Sequence, residues 1–159
     1  MIKKIITKCA LIVLFITLSN CGFKVLDNLE TKNFNIKEIN ASGDKRINFK
    51  IKNDLIIDYS NNTTNNLILT LDTKKTKRIK EKNIKNEITK YEVSLVSNIE
   101  LSFMENNKKH KFTVTSNGDY LADDKYSTTI RNEKRLIEDL TNDRINKIKN
   151  KINLITNDL

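Results

Sequence analysis

Cys21 is the residue whose placement could carry covalent chemistry. The chain has two cysteines, and Cys9 lies inside an N-terminal apolar run while Cys21 stands just beyond it. If the run is removed as an export leader, Cys21 has no partner for an intramolecular disulfide. An unpaired exported cysteine points to intermolecular pairing or to a modified thiol, and its position at the cleavage point favours modification. A thiol is the right nucleophile for this, because its thiolate forms a thioether where a serine hydroxyl would not. A second group is the row Lys74, Lys75, Lys77, Arg78, Lys80 and Lys82, which suits an anionic partner. Elsewhere the chemistry is thin. His110, the single histidine, sits among Lys108, Lys109 and Lys111 at an expected hairpin, with no cysteine or second histidine to complete the three or four ligands a zinc site needs. Asp123-Asp124 is a turn pair whose side chains point apart. Gly22, Gly43 and Gly118 are the only glycines, so no phosphate-cradling glycine loop exists. Neither an enzyme nor a metal or cofactor site is expected.

The leader has a basic start (Lys3, Lys4, Lys8), an apolar centre from Cys9 to Leu18, and short polar residues before Cys21. This is the layout of an export signal, and it is too short for a bilayer-spanning helix of ~20 apolar residues. Leu18-Ser19-Asn20-Cys21 resembles the cleavage motif of bacterial lipoproteins, Leu-(Ala/Ser)-(Gly/Ala)-Cys, with Asn20 in the small-residue place. The resemblance implies a diacylglycerol on Cys21, removal of residues 1–20 and acylation of the new amino terminus. Two or more acyl chains hold a protein to a membrane where one does not. Gly22, rather than an aspartate, follows the cysteine, which implies delivery to the outer membrane, on its periplasmic face.

The chain carries 29 basic and 20 acidic residues. Three basic residues lie in the leader, which leaves 26 against 20 and a balance of +6. A positive surface attracts anionic lipids, lipid phosphates or nucleic acid. Compositional drift competes as a cause, since Lys, Asn and Ile all have A/T-rich codons. Nucleic acid is a poor partner: residues 74–88 contain no aromatic to stack on bases.

These residues must be positioned by a domain over 33–159, preceded by a lipidated tether, 21–32. Phe34, Ile36 and Ile39 mark a short first strand with imperfect alternation. Asn40–Asp44 is a turn with several possible helix caps. Ile47, Ile51, Leu55 and Tyr59 recur every four residues, as in an amphipathic helix over 45–59, although Ile47, Phe49 and Ile51 also alternate as in a strand. Asn61–Asn66 breaks the chain. Leu67, Leu69 and Leu71 begin a second strand that fades into the basic row, and residues 83–89 are polar turn. Tyr91, Val93, Leu95, Ser97, Ile99, Leu101 and Phe103 form a row broken only by Ser97, so a long strand with one buried face is expected. After a hairpin at 105–109, Phe112, Val114 and Ser116 continue in a further strand ending near Asn117-Gly118-Asp119. From about Ser127 a helix follows, with Ile130, Ile137, Leu140, Ile145, Ile148, Ile152, Ile155 and Leu159 on one stripe. No proline and no later glycine interrupts it. At ~1.5 Å per residue it is about as long as the long strand, so it should lie along the sheet; a coiled-coil partner is the alternative. The expected class is α+β, a two-layer sandwich in the order β-α-β-β-β-α, with two helices on one face of a four-stranded sheet.

That order, hung on a lipidated cysteine, resembles the LptE family, the lipopolysaccharide-assembly lipoproteins of Gram-negative outer membranes. The likeness rests on Cys21-Gly22-Phe23, on Lys90–Leu95 as the start of the middle strand, and on Ala122–Ser127 leading into the final helix. It implies a non-catalytic protein that sits as a plug in the β-barrel LptD, helps that barrel fold, and assists lipopolysaccharide into the outer leaflet. Under this resemblance the Lys74–Lys82 row is the candidate lipopolysaccharide-binding element, competing with the divalent ions that bridge its phosphates and acidic sugars. The competing role is a solvated, lysine-guarded strand edge. A generic envelope lipoprotein with another periplasmic or outer-membrane partner is the rival to the family reading.

Overall fold

The computed structural model describes residues 34–59 and 65–157. The leader, Cys21, the tether, most of the 61–66 break and Leu159 lie outside the described residues. Six elements follow in order: β1 (Phe34–Gly43), α1 (Lys45–Tyr59), β2 (Asn65–Lys82), β3 (Ile88–Phe103), β4 (Lys109–Leu121) and α2 (Tyr126–Asn157). The strands form one sheet in the order β1-β2-β3-β4. β1 and β2 run parallel, joined through α1, while β2, β3 and β4 form an antiparallel meander. The expected α+β class and element order are those observed.

Both helices close over one face of the sheet. β1 contributes Phe34, Ile36 and Ile39; β2 contributes Leu67, Leu69 and Leu71; β3 contributes Val93, Leu95, Ile99 and Leu101; β4 contributes Val114 and Tyr120. Ile47, Ile51 and Leu55 of α1 and Leu140, Ile145, Ile148 and Ile152 of α2 complete the core. The imperfect alternation of β1 has a cause: the pairing with β2 slips between Ile36 and Glu38, and this bulge returns Ile39 to the buried face. Phe49, the residue that left a strand possible over 45–59, is 67 % exposed. Its neighbours Ile47 and Ile51 point inward, which is helical geometry.

The entry to α1 is tightly specified. Asp44 Oδ1 accepts the backbone N–H groups of Arg46 and Ile47, each at 3.1 Å, as a helix N-cap. Gly43 precedes it at φ 87°, where a Cβ would stand 2.0 Å from the Thr73 carbonyl oxygen. Asn48 Nδ2 reaches back to the Ser42 carbonyl at 2.6 Å.

Three boundaries differ from the sequence expectation. Asn40 to Gly43, expected as turn, continue β1 in register with Thr70 to Thr73, and only Asp44 serves as the cap. β3 begins at Ile88, so only 83–87 form the turn, where Asn83 Oδ1 accepts the N–H groups of Lys85 and Glu87 and Asn86 takes φ 64°. β4 continues past Gly118 to Leu121. Gly118 does not end the strand; it faces α2, and a Cβ there would meet Leu136 Cδ1 at 2.6 Å.

Candidate functional site

The basic row lies where β2 outruns β1. Gly43, the last residue of β1, pairs with Thr73. Beyond Thr73, β2 pairs with β3 alone, and Lys74 to Lys82 occupy this half-open ribbon. The pairing sorts the charges onto two faces. Lys75 and Lys77 stand opposite Leu95 and Val93, on the helix-covered side; Lys74 and Arg78 stand opposite Val96 and Glu92, on the other. Register slips between Ile79 and Lys82 then interrupt the pairing. Lys80, two residues beyond Arg78, stays on the uncovered face and reaches Asp119, which pairs with Glu92 there. The row therefore does not project its charges from one strand side: Lys75 and Lys77 alternate onto the helix-covered face, while Lys74, Arg78 and Lys80, at even positions, fall on the other.

Most of the row is already engaged. On the helix side, Lys77 Nζ meets Glu133 Oε2 at 2.6 Å and lies 4.3 Å over the Tyr91 ring. Tyr91 stacks on Tyr120 with centroids 5.3 Å apart, and the Tyr120 hydroxyl donates to the same Glu133 oxygen at 2.8 Å. Burial works against both charges here, yet the hydrogen bonds prevail: those to Glu133 and Tyr120 hold Lys77 above its ordinary value, and those from Lys77 and Tyr120 hold Glu133 below its own. Burial raises the Tyr120 phenol. Lys75 approaches the α1 cap, Asp44, at 3.7 Å. On the open face, Arg78 pairs with Glu92 at 2.9 Å, and each of Arg78 and Lys80 is held above its usual value by its carboxylate partner. Lys82 donates to Asn86 Oδ1 within the turn, and Lys74 carries no ion pair among the described residues. The arrangement is a charge ladder with a few exposed cations.

The remaining candidates take structural places. His110 is half-buried on β4, edge-on to Phe103 at 5.8 Å, where a solvated turn residue was expected. Asp123 organises the start of α2: its Oδ1 accepts the Lys125 N–H, and its carbonyl accepts the Thr129 hydroxyl. Among the described residues no His/Cys/Asp/Glu cluster could hold a metal ion, and no helix is long and apolar enough to cross a membrane.

One site went unread in the sequence. Ser97, the break in the β3 row, is fully buried against Thr73 Oγ1 at 2.8 Å and receives Arg144 Nη1 at 2.7 Å. Arg144 is 0 % exposed, and its Nε and Nη2 meet no acceptor among the described residues. Burial pushes this guanidinium down to about 10, partly opposed by Asp143. Two signals were available: a serine at an inward position of β3, and an arginine four residues after Leu140 on the apolar stripe of α2.

No protein-family model matches the chain, and no curated protein matches it in sequence. Solved structures do share its fold. Rare lipoprotein B from Shewanella oneidensis superposes with a TM-score of 0.53 at 17% identity, over 74% of this chain and 98% of its own. Lipoprotein B from Nitrosomonas europaea superposes with a TM-score of 0.57 at 14% identity, over 78% of this chain and 85% of its own. At these identities the likeness establishes a common fold.

Proposed function

We propose that this protein is a lipid-anchored lipoprotein of the outer membrane, on its periplasmic face, that plugs and helps assemble the LptD β-barrel and assists lipopolysaccharide into the outer leaflet. The observation that carries the reading is a conjunction: a β-α-β-β-β-α domain with the fold of two proteins named as lipoproteins stands downstream of Leu18-Ser19-Asn20-Cys21. Cys21 supplies the membrane attachment. Its partners are the barrel and lipopolysaccharide; no nucleic acid and no cofactor is assigned. The work is done by shape and charge rather than catalysis: a rigid two-layer body fills space, and the ribbon beyond Thr73 presents cations.

Purification of the full-length chain from detergent-solubilised membranes tests the assembly role. Recovery of a large outer-membrane barrel in stoichiometric amount is expected. Recovery of peptidoglycan or a periplasmic enzyme instead would favour a generic envelope lipoprotein. For lipopolysaccharide, changing Lys74, Arg78 and Lys80 together to Ala removes cations of the open face and leaves the Lys77–Glu133–Tyr120 cluster intact. Weakened lipopolysaccharide binding is expected; unchanged binding assigns those residues to guarding a strand edge. That second role has its own support, because the ribbon is unpaired on one side and its lysines are the type that discourages edge-to-edge association.

A further inference from the structure

A second basic cluster, which meets the β2 row only at Lys75, lies in the groove between the two helices. The groove encloses about 510 Å³. Arg46 and Lys50 of α1 form one wall, Arg131, Lys134 and Arg135 of α2 the other, and Lys75 stands among them. Ile47 and Ile137 provide an apolar floor. Two carboxylates also line it, and both are taken: Asp44 lies 3.7 Å from Lys75 and Glu138 lies 3.4 Å from Lys50.

Arg46, Arg131, Lys134 and Arg135 are left with no ion pair among the described residues. The contrast with the β2 ladder is sharp, since there each of Lys77, Arg78 and Lys80 has a carboxylate. Here like charges also repeat one helical turn apart, Arg46 with Lys50 and Arg131 with Arg135, which destabilises a helix. Concentrated, unbalanced positive charge over an apolar floor is the signature of a site completed by an anion.

We propose that the inter-helix groove binds a compact polyanion carrying two linked phosphate groups. The volume falls within the ~300–1,000 Å³ of small-molecule sites. Three of the four unpaired cations are arginines, whose planar forks match phosphate oxygens in bidentate pairs. Two phosphate groups bring a charge of roughly −3 to −4, which matches four unbalanced cations; one phosphate does not. An acidic peptide offers the same charge only by fixing several flexible side chains, at an entropic cost. Free diphosphate and a diphosphate carried on a lipid share this chemistry.

Isothermal titration of the full-length chain in a nonionic detergent at low salt tests the site, with pyrophosphate, inorganic phosphate and farnesyl diphosphate as probes and farnesol as the tail-only control. Pyrophosphate should saturate at one per chain, with inorganic phosphate at least tenfold weaker. Farnesyl diphosphate binding tenfold tighter than pyrophosphate, with farnesol silent, identifies a lipid-linked source; equal affinities identify the free anion. Arg131→Gln with Arg135→Gln, and separately Arg46→Gln on the opposite wall, should each weaken pyrophosphate binding, the pair by at least tenfold. Lys109→Gln with Lys111→Gln, the same charge change beside Glu100 on the sheet, should alter it less than twofold. Equal losses from groove and sheet variants, absence of saturation, or octaglutamate binding as tightly as pyrophosphate would each overturn the proposal. The site is independent of the assembly role: groove variants should still recover the same barrel, so failure of one reading does not carry the other with it.

Discussion

Arg144 Nη1 donates to Ser97 Oγ over 2.7 Å, joining the middle of α2 to the centre of β3 beneath the helix layer. Thr73 Oγ1 completes the chain at 2.8 Å, so three elements meet through polar atoms inside an otherwise apolar core. A buried cation that leaves two N–H groups without acceptors is costly, and an apolar replacement of similar volume is often neutral or stabilising. Removing only its partner is worse, because the guanidinium then loses its one acceptor.

Thermal and denaturant unfolding of a double-mutant cycle should show this asymmetry. Ser97→Ala is expected to cost about 2–3 kcal/mol in the presence of Arg144. In an Arg144→Leu background the same change should cost about 1 kcal/mol, since only the Thr73 hydrogen bond remains to lose. Equal costs in both backgrounds would show that the Arg144 contact carries no net energy.

Acid should release the Lys77–Glu133–Tyr120 cluster. Glu133 sits below its ordinary value of 4.5 in the folded protein. Its contribution is therefore fully present above about pH 4.5 and is lost as pH falls through the lower folded value. Glu133→Gln should be less stable than the parent by about 1 kcal/mol at pH 7, given the cluster's partial exposure. The two proteins should converge in denaturant midpoint towards pH 3. A gap that persists unchanged at pH 3 would show that the carboxylate charge is not its source.

The two structural glycines should respond differently to alanine. At Gly43 both the positive φ and the Thr73 carbonyl oppose a methyl group, so Gly43→Ala should cost about 2–3 kcal/mol. At Gly118 the nearest atom is the end of the Leu136 side chain, which can move, so Gly118→Ala should cost about 1 kcal/mol. Urea midpoints of the two variants check the order.

Within α1, Ile51→Ala should cost about 3 kcal/mol because Ile51 is fully buried. Phe49→Ala should stay within about 0.5 kcal/mol, as a surface change does. Comparable losses at both positions would mean that a partner covers the outer face of α1 in solution.

Periodicity carried most of the fold. Ile47, Ile51 and Leu55 at fours and Val93 to Leu101 at twos are each buried as their spacing implies, because a core face imposes its period on sequence directly. Irregularities were hidden for the same reason. The register slips between Ile79 and Lys82 leave residue types unchanged, so spacing alone does not show them. Carboxylate partners were equally invisible, since Glu133 lies 56 residues from Lys77. Ser97 marked the buried polar site, but nothing in β3 alone identifies Arg144 as its partner. The inter-helix groove needed the packing of α1 on α2, which brings together two basic segments more than 80 residues apart.

The parallel pairing of β1 with β2 also sets a direction. Phe34 pairs with Asn65 and Leu67 with Phe103, so the chain enters the sheet at the end that carries the β3–β4 hairpin. The nine residues of β2 beyond Thr73 outrun β1 by about 30 Å, but β3 and β4 run alongside them as far as Leu121 and α2 lies over them through Glu133. What this end of the sheet exposes is thus one open strand edge on a supported three-stranded platform, with Lys77, Arg78 and Lys80 clamped to their carboxylates.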